Sequence, residues 1–228
     1  MRKDIFRADM EQFHLLEGAS DMKRTKEIGR KSSGKRRRKP VVYLICEGSE
    51  TEIRYFKKFR SRECNIDIIP IPSQYKSADK LVQKAKATIG FNPYYPDEGD
   101  MIWCVFDRDD NTNAMLAKAK QEALKEGYQI AFSNPSFEIW FLLHFNNQTT
   151  SIENCDAVMK QLKKKGRLEQ YEKNKEVYEQ LKPLQEVAVE RAKKRVEALQ
   201  REHIEILSRE SNPVTTVAEL VEYLKGKR

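Results

Sequence analysis

Residues 41–56, VVYLICEGSETEIRYF, decide the fold. Val41 to Cys46 are apolar at both odd and even positions, the pattern of a strand covered on both faces rather than half-exposed. The run stops at Glu47, so a buried element delivers a carboxylate at its end. From Glu50 to Arg62 the apolar residues return at helical spacing, with Ile53, Phe56 and Phe59 on one face, and the stretch reads strand, acid, helix.

Downstream the same grammar recurs. NIDIIPI (65–71) is a shorter strand, and Pro70 predicts that it ends there or lies near an edge. Ser77 is placed to cap a helix reaching Ile89 through Leu81, Val82 and Ala85. After the loop FNPYYPDEG, the run MIWCVF (101–106) is a second continuous apolar strand. It too ends in acid, DRDDN (107–111). A helix over 113–126 is stopped by Gly127, YQIAFS (128–133) is a strand, and SFEIWFLLHF (136–145) is an apolar helix. This alternation predicts an α/β fold, a parallel sheet with helices on both faces. Beyond Asn146 no further strand is predicted. Residues 153–210 are helix formers rich in Lys and Glu, broken at Gly166 and Pro183. A long helix over 184–207 carries a narrow seam of Val187, Val189, Val196, Leu199, Ile204 and Leu207, and SNPVTTVAELVEYLKGKR closes the chain with an amphipathic helix.

Upstream, residues 22–39 hold ten Lys and Arg against the single acid Glu27, so this segment accounts for the chain's net charge of +8. Such a cationic arm gains affinity for phosphate backbones by releasing counterions, which makes Arg36, Arg37 and Arg38 candidate substrate-binding residues. Three segments follow: a basic arm over 1–39, an α/β domain over 40–146, and a helical region over 147–228 packing on or extending from it. No apolar run is long enough to span a membrane and the N-terminus lacks the apolar centre of a secretory leader, so a soluble, cytoplasmic protein without a membrane partner is expected. Cys46, Cys64, Cys104 and Cys155 form no CxxC pair, and three scattered histidines offer no zinc pattern.

In an open parallel sheet, ligands bind beyond the carboxyl ends of the strands. Glu47 leaves the first strand there, and Asp107 and Asp109 leave the third. If those strands are neighbours, three carboxylates meet in one crevice. Converging carboxylates repel unless a cation lies between them, and hard oxygen donors select Mg²⁺ or Mn²⁺. In an extended DRD, Asp107 and Asp109 point the same way and can share one ion, while Arg108 points elsewhere, free to meet a phosphate or solvent. Glu52 and Glu138 are further metal candidates. For Glu52 the competing reading is a capping box with Ser49. Glu138 is a charge within an otherwise apolar helix that needs solvent or a partner. Glu50 shares the ambiguity of Glu52, Asp110 reads as third acid or turn, Asn134 and Ser136 read as caps or phosphate ligands, and His144 reads as a packed histidine.

An acid after the first strand and a DxD after a later one resemble the TOPRIM domain of topoisomerases, DnaG-type primases and OLD-family nucleases, over about residues 40–145. More narrowly, KRRRKP, CEGSETEIRYF, FDRDDN, SNPSFEIWFLLHF and SNPVTTVAELVEYL together resemble the RloB-like proteins, bacterial proteins linked to restriction and abortive infection and often encoded beside an ATPase. The resemblance implies a TOPRIM-like sheet with a helical C-terminal extension, and a Mg²⁺- or Mn²⁺-dependent nuclease acting on RNA, tRNA or DNA in antiphage defence. It places the TOPRIM glutamate on Glu47, as acid/base or metal ligand, and the metal aspartates on Asp107 and Asp109. Two other classes compete: a non-catalytic nucleic-acid-binding or regulatory partner of a defence ATPase, and a metal-dependent nucleotide-sugar transferase. A haloacid-dehalogenase reading fails at Asn111, where that motif expects Thr or Val.

Overall fold

The structure, a computed structural model, describes residues 38–60 and 65–226. Arg36 and Arg37 lie outside the described residues. From Arg38 onward the chain forms one compact body. Its elements run β1 (Val41–Cys46), α1 (Thr51–Lys57), β2 (Asp67–Pro72), α2 (Ala78–Gln83), α3 (Ala85–Thr88), β3 (Met101–Asp107), α4 (Asn113–Glu126), β4 (Gln129–Asn134), α5 (Glu138–Phe145), α6 (Cys155–Leu162), α7 (Tyr178–Leu181), α8 (Gln185–Arg201), β5 (Val214–Thr215) and α9 (Val217–Gly226).

The sheet order is β2-β1-β3-β4-β5, the first four strands parallel and β5 antiparallel to β4. β1 is fully buried because its two parities feed different cores. Val42, Leu44 and Cys46 face α1, α5, α6, α8 and α9, whereas Val41, Tyr43 and Ile45 face α2, α3 and α4. Trp103 and Val105 of β3 join the first core, and Ile102, Cys104 and Phe106 the second. Among the described residues β2 pairs only with β1, which is why Pro70 and Pro72 are tolerated in it. Gly127, at φ 71, supplies the left-handed residue that ends α4.

Three expectations need correction. The predicted helix over 77–89 is broken at Lys84 into α2 and α3, and Ser77 makes no side-chain cap. The helix after Glu47 is shorter than predicted and begins at Thr51, with Glu50 as its uncapped N-terminal residue. The strands do not end at Asn146: β5 comes from the C-terminal region, where Val214 pairs with Asn134 and Thr215 with Ser133.

That region is tied to the sheet by more than a strand. Arg191 Nη1 of α8 donates to the carbonyls of Leu143 (2.7 Å) and His144 (3.1 Å), closing the C-terminus of α5. Asn134 Nδ2 donates to Ser208 O at 3.1 Å, and Asn212 exchanges two hydrogen bonds with the backbone of Ile152. The seam of α8 is Ala188, Val189, Ala192 and Leu199, while Val187 is exposed.

Candidate active site

β1 and β3 are adjacent, but the chain leaves them in opposite directions. α1 carries β1 to β2 across one face, and α4 carries β3 to β4 across the other. The carboxyl ends of β1 and β3 are therefore the switch point of the sheet, where divergent connections leave a crevice. A cleft of roughly 360 Å³ opens there. It is lined by Glu47, Glu52, Lys76, Asp107, Glu138 and Lys173, with Asp109 and Glu50 at its edge.

Glu47 continues the ladder past the end of β1. Its N–H donates to Val105 O at 2.9 Å, and its carboxylate Oε2 accepts from the N–H of Asp107 at 3.1 Å. Lys76 Nζ donates to the Glu47 carbonyl at 2.9 Å. Burial pushes the Glu47 carboxyl up to about 7; the Asp107 N–H and Lys76 oppose this, while Asp109 and Glu52 add to it.

Glu52 lies in the first turn of α1 and is 6% exposed. The Ser49 capping box does not form. The Glu52 carboxylate instead folds back onto the N–H of Gly48 and its own N–H, and a Cβ at residue 48 would push that carboxylate aside. Burial and then Glu138 raise its pKa. Glu50, by contrast, is exposed and paired with Arg54 at 2.6 Å.

Asp107 ends β3, and its carboxylate accepts from the Phe137 N–H at the entry to α5. Its pKa is nevertheless held well above the carboxylate range by burial, then by Glu52, Glu138 and Glu47. The following residues are not extended, as the alternation argument assumed. Asp109 has φ 35 and is exposed, within a turn closed by the Asn111 N–H on Arg108 O, and the two aspartates reach the cleft from a strand end and a turn. Asn111 fixes that turn: its Nδ2 donates to Asp107 O (3.1 Å) and its Oδ1 accepts from the N–H of Ala78 (2.8 Å).

Glu138, 2% exposed, faces the cleft from the first turn of α5. The Tyr171 hydroxyl lies 3.4 Å from its Oε1, the Cys155 thiol 3.5 Å from its Oε2, and Lys173 Nζ 3.9 Å from its Oε1. Thr51 Oγ1 donates to the Lys173 carbonyl at 3.2 Å. Burial works against the Lys173 charge, but Glu138, Cys155 and Asp107 outweigh it and raise its pKa.

The structure thus brings together Glu47, Glu52, Asp107, Asp109 and Glu138, and leaves other candidates elsewhere. Arg108 folds back so that its Nη1 donates to Asp109 O at 2.7 Å, and it does not line the cleft. Arg38 sits at the amino edge of the sheet, opposite the cleft. There it pairs with Asp100 through Nη1 (2.9 Å) and Nη2 (2.6 Å) and stacks over Tyr95. Asp110 is exposed. Asn134 ties down residues 208–211 rather than capping α5. His144 is packed, its Nδ1 2.9 Å from Trp140 O, and burial pushes its pKa down to about 4. Lys76, Lys173 and Tyr171 were not found by sequence reasoning, because no local pattern separates them from the surrounding Lys-rich loops.

The residues fit a hard divalent cation. The donors are all carboxylate oxygens, three of them on buried residues, and burial first, then their mutual repulsion, raises the pKa values of Glu47, Glu52 and Asp107. Among the described residues no three such side chains are already drawn together as a finished cage. No helix among them is long and apolar enough to cross a membrane.

The class is therefore an α/β protein with a mixed, mainly parallel sheet and an acidic cleft at its switch point. Over residues 42–224 the chain matches the model of the RloB-like proteins, and it belongs to that family. No curated protein and no solved structure matches it.

Proposed function

We propose that this chain is a Mg²⁺- or Mn²⁺-dependent nuclease that hydrolyses phosphodiesters of RNA, tRNA or DNA in bacterial antiphage defence. The observation that carries the reading is the convergence of Glu47, Glu52, Asp107 and Glu138 from three separate chain segments on one cleft. Membership of the RloB-like family and the TOPRIM-like order of acids support it.

Glu52, Asp107 and Glu138 would hold the ion, with Asp109 at the rim. A divalent cation there supplies Lewis-acid stabilisation of the charge developing on the phosphate. Glu47, with a pKa of about 7, is suited to take the proton of an attacking water and return it to the leaving oxygen. The Asp107 N–H holds its Oε2, so the carboxyl is presented in one orientation. Lys76 and Lys173 place positive charge where an incoming phosphate would sit. A defence ATPase encoded nearby is the proposed regulator.

The test is incubation of the purified protein with total RNA and with plasmid DNA, in Mg²⁺, Mn²⁺ or EDTA, with and without that ATPase. Cleavage that needs the metal and disappears in Asp107→Ala, with the circular dichroism unchanged, is expected. Binding without cleavage under every condition would instead assign a non-catalytic role.

A further inference from the structure

The acids of the cleft fall into two ends that share Asp107. At one end Glu47 meets Lys76, whose ammonium is engaged by the Glu47 carbonyl at 2.9 Å. At the other end Glu52 and Glu138 face Asp107, and both are almost fully buried. Buried carboxylates in this number require a cation among them. Lys173 already supplies one. Its Nζ lies 3.9 Å from Glu138 Oε1, an ion-pair distance too long for a hydrogen bond, and its side chain is 59% exposed. The backbone beneath it is fixed at both acid-bearing elements. Thr51 of α1 donates to the Lys173 carbonyl at 3.2 Å, and Tyr171 reaches Glu138 of α5. The ammonium is thus held near the buried acids by its backbone and by a hydrogen bond to the Cys155 thiol beside Glu138.

We propose that Lys173 is the chain's own second cation beside the divalent ion held by Glu52, Asp107 and Glu138, so that the cleft takes one divalent ion where the carboxylates alone would take two. The inference rests on the metal-dependent reading given above. An ammonium at this position occupies the electrostatic place of a second ion, and the N–H donors that Cys155 does not take are available to a phosphate oxygen.

The test counts bound Mn²⁺ by electron paramagnetic resonance of the full chain, without substrate, at fixed ionic strength. The wild type, Lys173→Met, Lys173→Gln and Lys173→Arg are compared, and far-UV circular dichroism establishes that each is folded. One Mn²⁺ per chain is expected for the wild type and for Lys173→Arg. A second Mn²⁺, bound at least about tenfold more tightly than by the wild type, is expected for both neutral variants. Two ions on the wild type, or one ion on the wild type and on both neutral variants, would overturn the role of Lys173 and leave the metal reading standing. No Mn²⁺ on any of the four proteins would overturn the metal reading itself.

Discussion

The N–H of Asp107 donates to Oε2 of Glu47 at 3.1 Å, joining the ends of β3 and β1 across sixty positions of sequence. The bond orients one carboxylate with the backbone that carries the other, so the two acids form a unit rather than a chance neighbourhood. Asp107→Asn keeps that backbone donor and removes one charge. Cleavage is expected to fall at least about 100-fold. Because burial, and then Glu52, Glu138 and Glu47, disfavour the native carboxylate, the metal-free variant is expected to melt a few degrees higher than the wild type. Nuclease assays together with melting curves in EDTA check both; a lower melting temperature would contradict a disfavoured carboxylate.

Glu47 also makes stability depend on pH. Its carboxyl is raised in the folded chain from 4.5 to about 7, so the folded state holds its proton more tightly than the unfolded state. Its contribution is complete below pH 4.5 and is lost as pH rises through about 7, a change of about 3 kcal/mol. His144 works the other way. Its pKa is lowered from 6.5 to about 4, so its contribution is present above pH 6.5 and lost as pH falls. Between pH 4.5 and 6.5 the two slopes oppose, and they leave the wild-type curve flatter than either alone. Glu47→Gln removes one slope. Urea unfolding in EDTA should show the variant gaining on the wild type from near zero at pH 4.5 to about 3 kcal/mol above pH 7. A constant difference across that range would show that Glu47 titrates normally.

Arg38 and Asp100 test whether the end of the basic segment binds substrate or holds the fold. The Asp100 side chain is fully buried and also accepts from the N–H groups of Val41 (2.7 Å) and Tyr95 (2.8 Å). Arg38→Ala leaves that carboxylate short of a cation and is expected to lower the urea midpoint of unfolding. The salt dependence of nucleic-acid binding should keep its slope, because this guanidinium is committed to Asp100. A slope reduced by about one, with stability unchanged, would return Arg38 to the substrate.

Much of this was legible in the sequence for a physical reason: β1 and β3 are apolar at both parities, and only a strand buried on two faces tolerates that. The acids ending them were readable as a pair for the same reason. Whether Glu50 or Glu52 enters the site depends on where α1 starts, and the local sequence left that open between a capping box and an inward carboxylate. β5 was not legible, since two residues within SNPVTT carry no strand period and pair with β4 only through tertiary contacts. Lys173 was not legible either. It sits among Lys163, Lys164, Lys165 and Lys175, and its difference from them is only that Thr51 and Tyr171 hold its segment against the cleft.

The C-terminal region is part of the folded body, and truncation tests this directly. α8, α9 and β5 supply Ala188, Val189, Ala192, Leu199, Val214, Leu220, Val221 and Leu224 to the two cores. Ending the chain at Asn146 would expose the apolar face of α5, unpair the edge of β4, remove Lys173 from the cleft and take Tyr171 from Glu138. Each large apolar side chain lost or uncovered costs roughly 1.5–3 kcal/mol, so the six Val and Leu among these together match the roughly 5–15 kcal/mol by which domains are stable. Residues 38–146 alone are therefore expected to lack a cooperative melting transition and to be digested rapidly by trypsin, whereas 38–228 resists. A cooperatively melting 38–146 fragment would show that the sheet and its acidic cleft stand without the helical region.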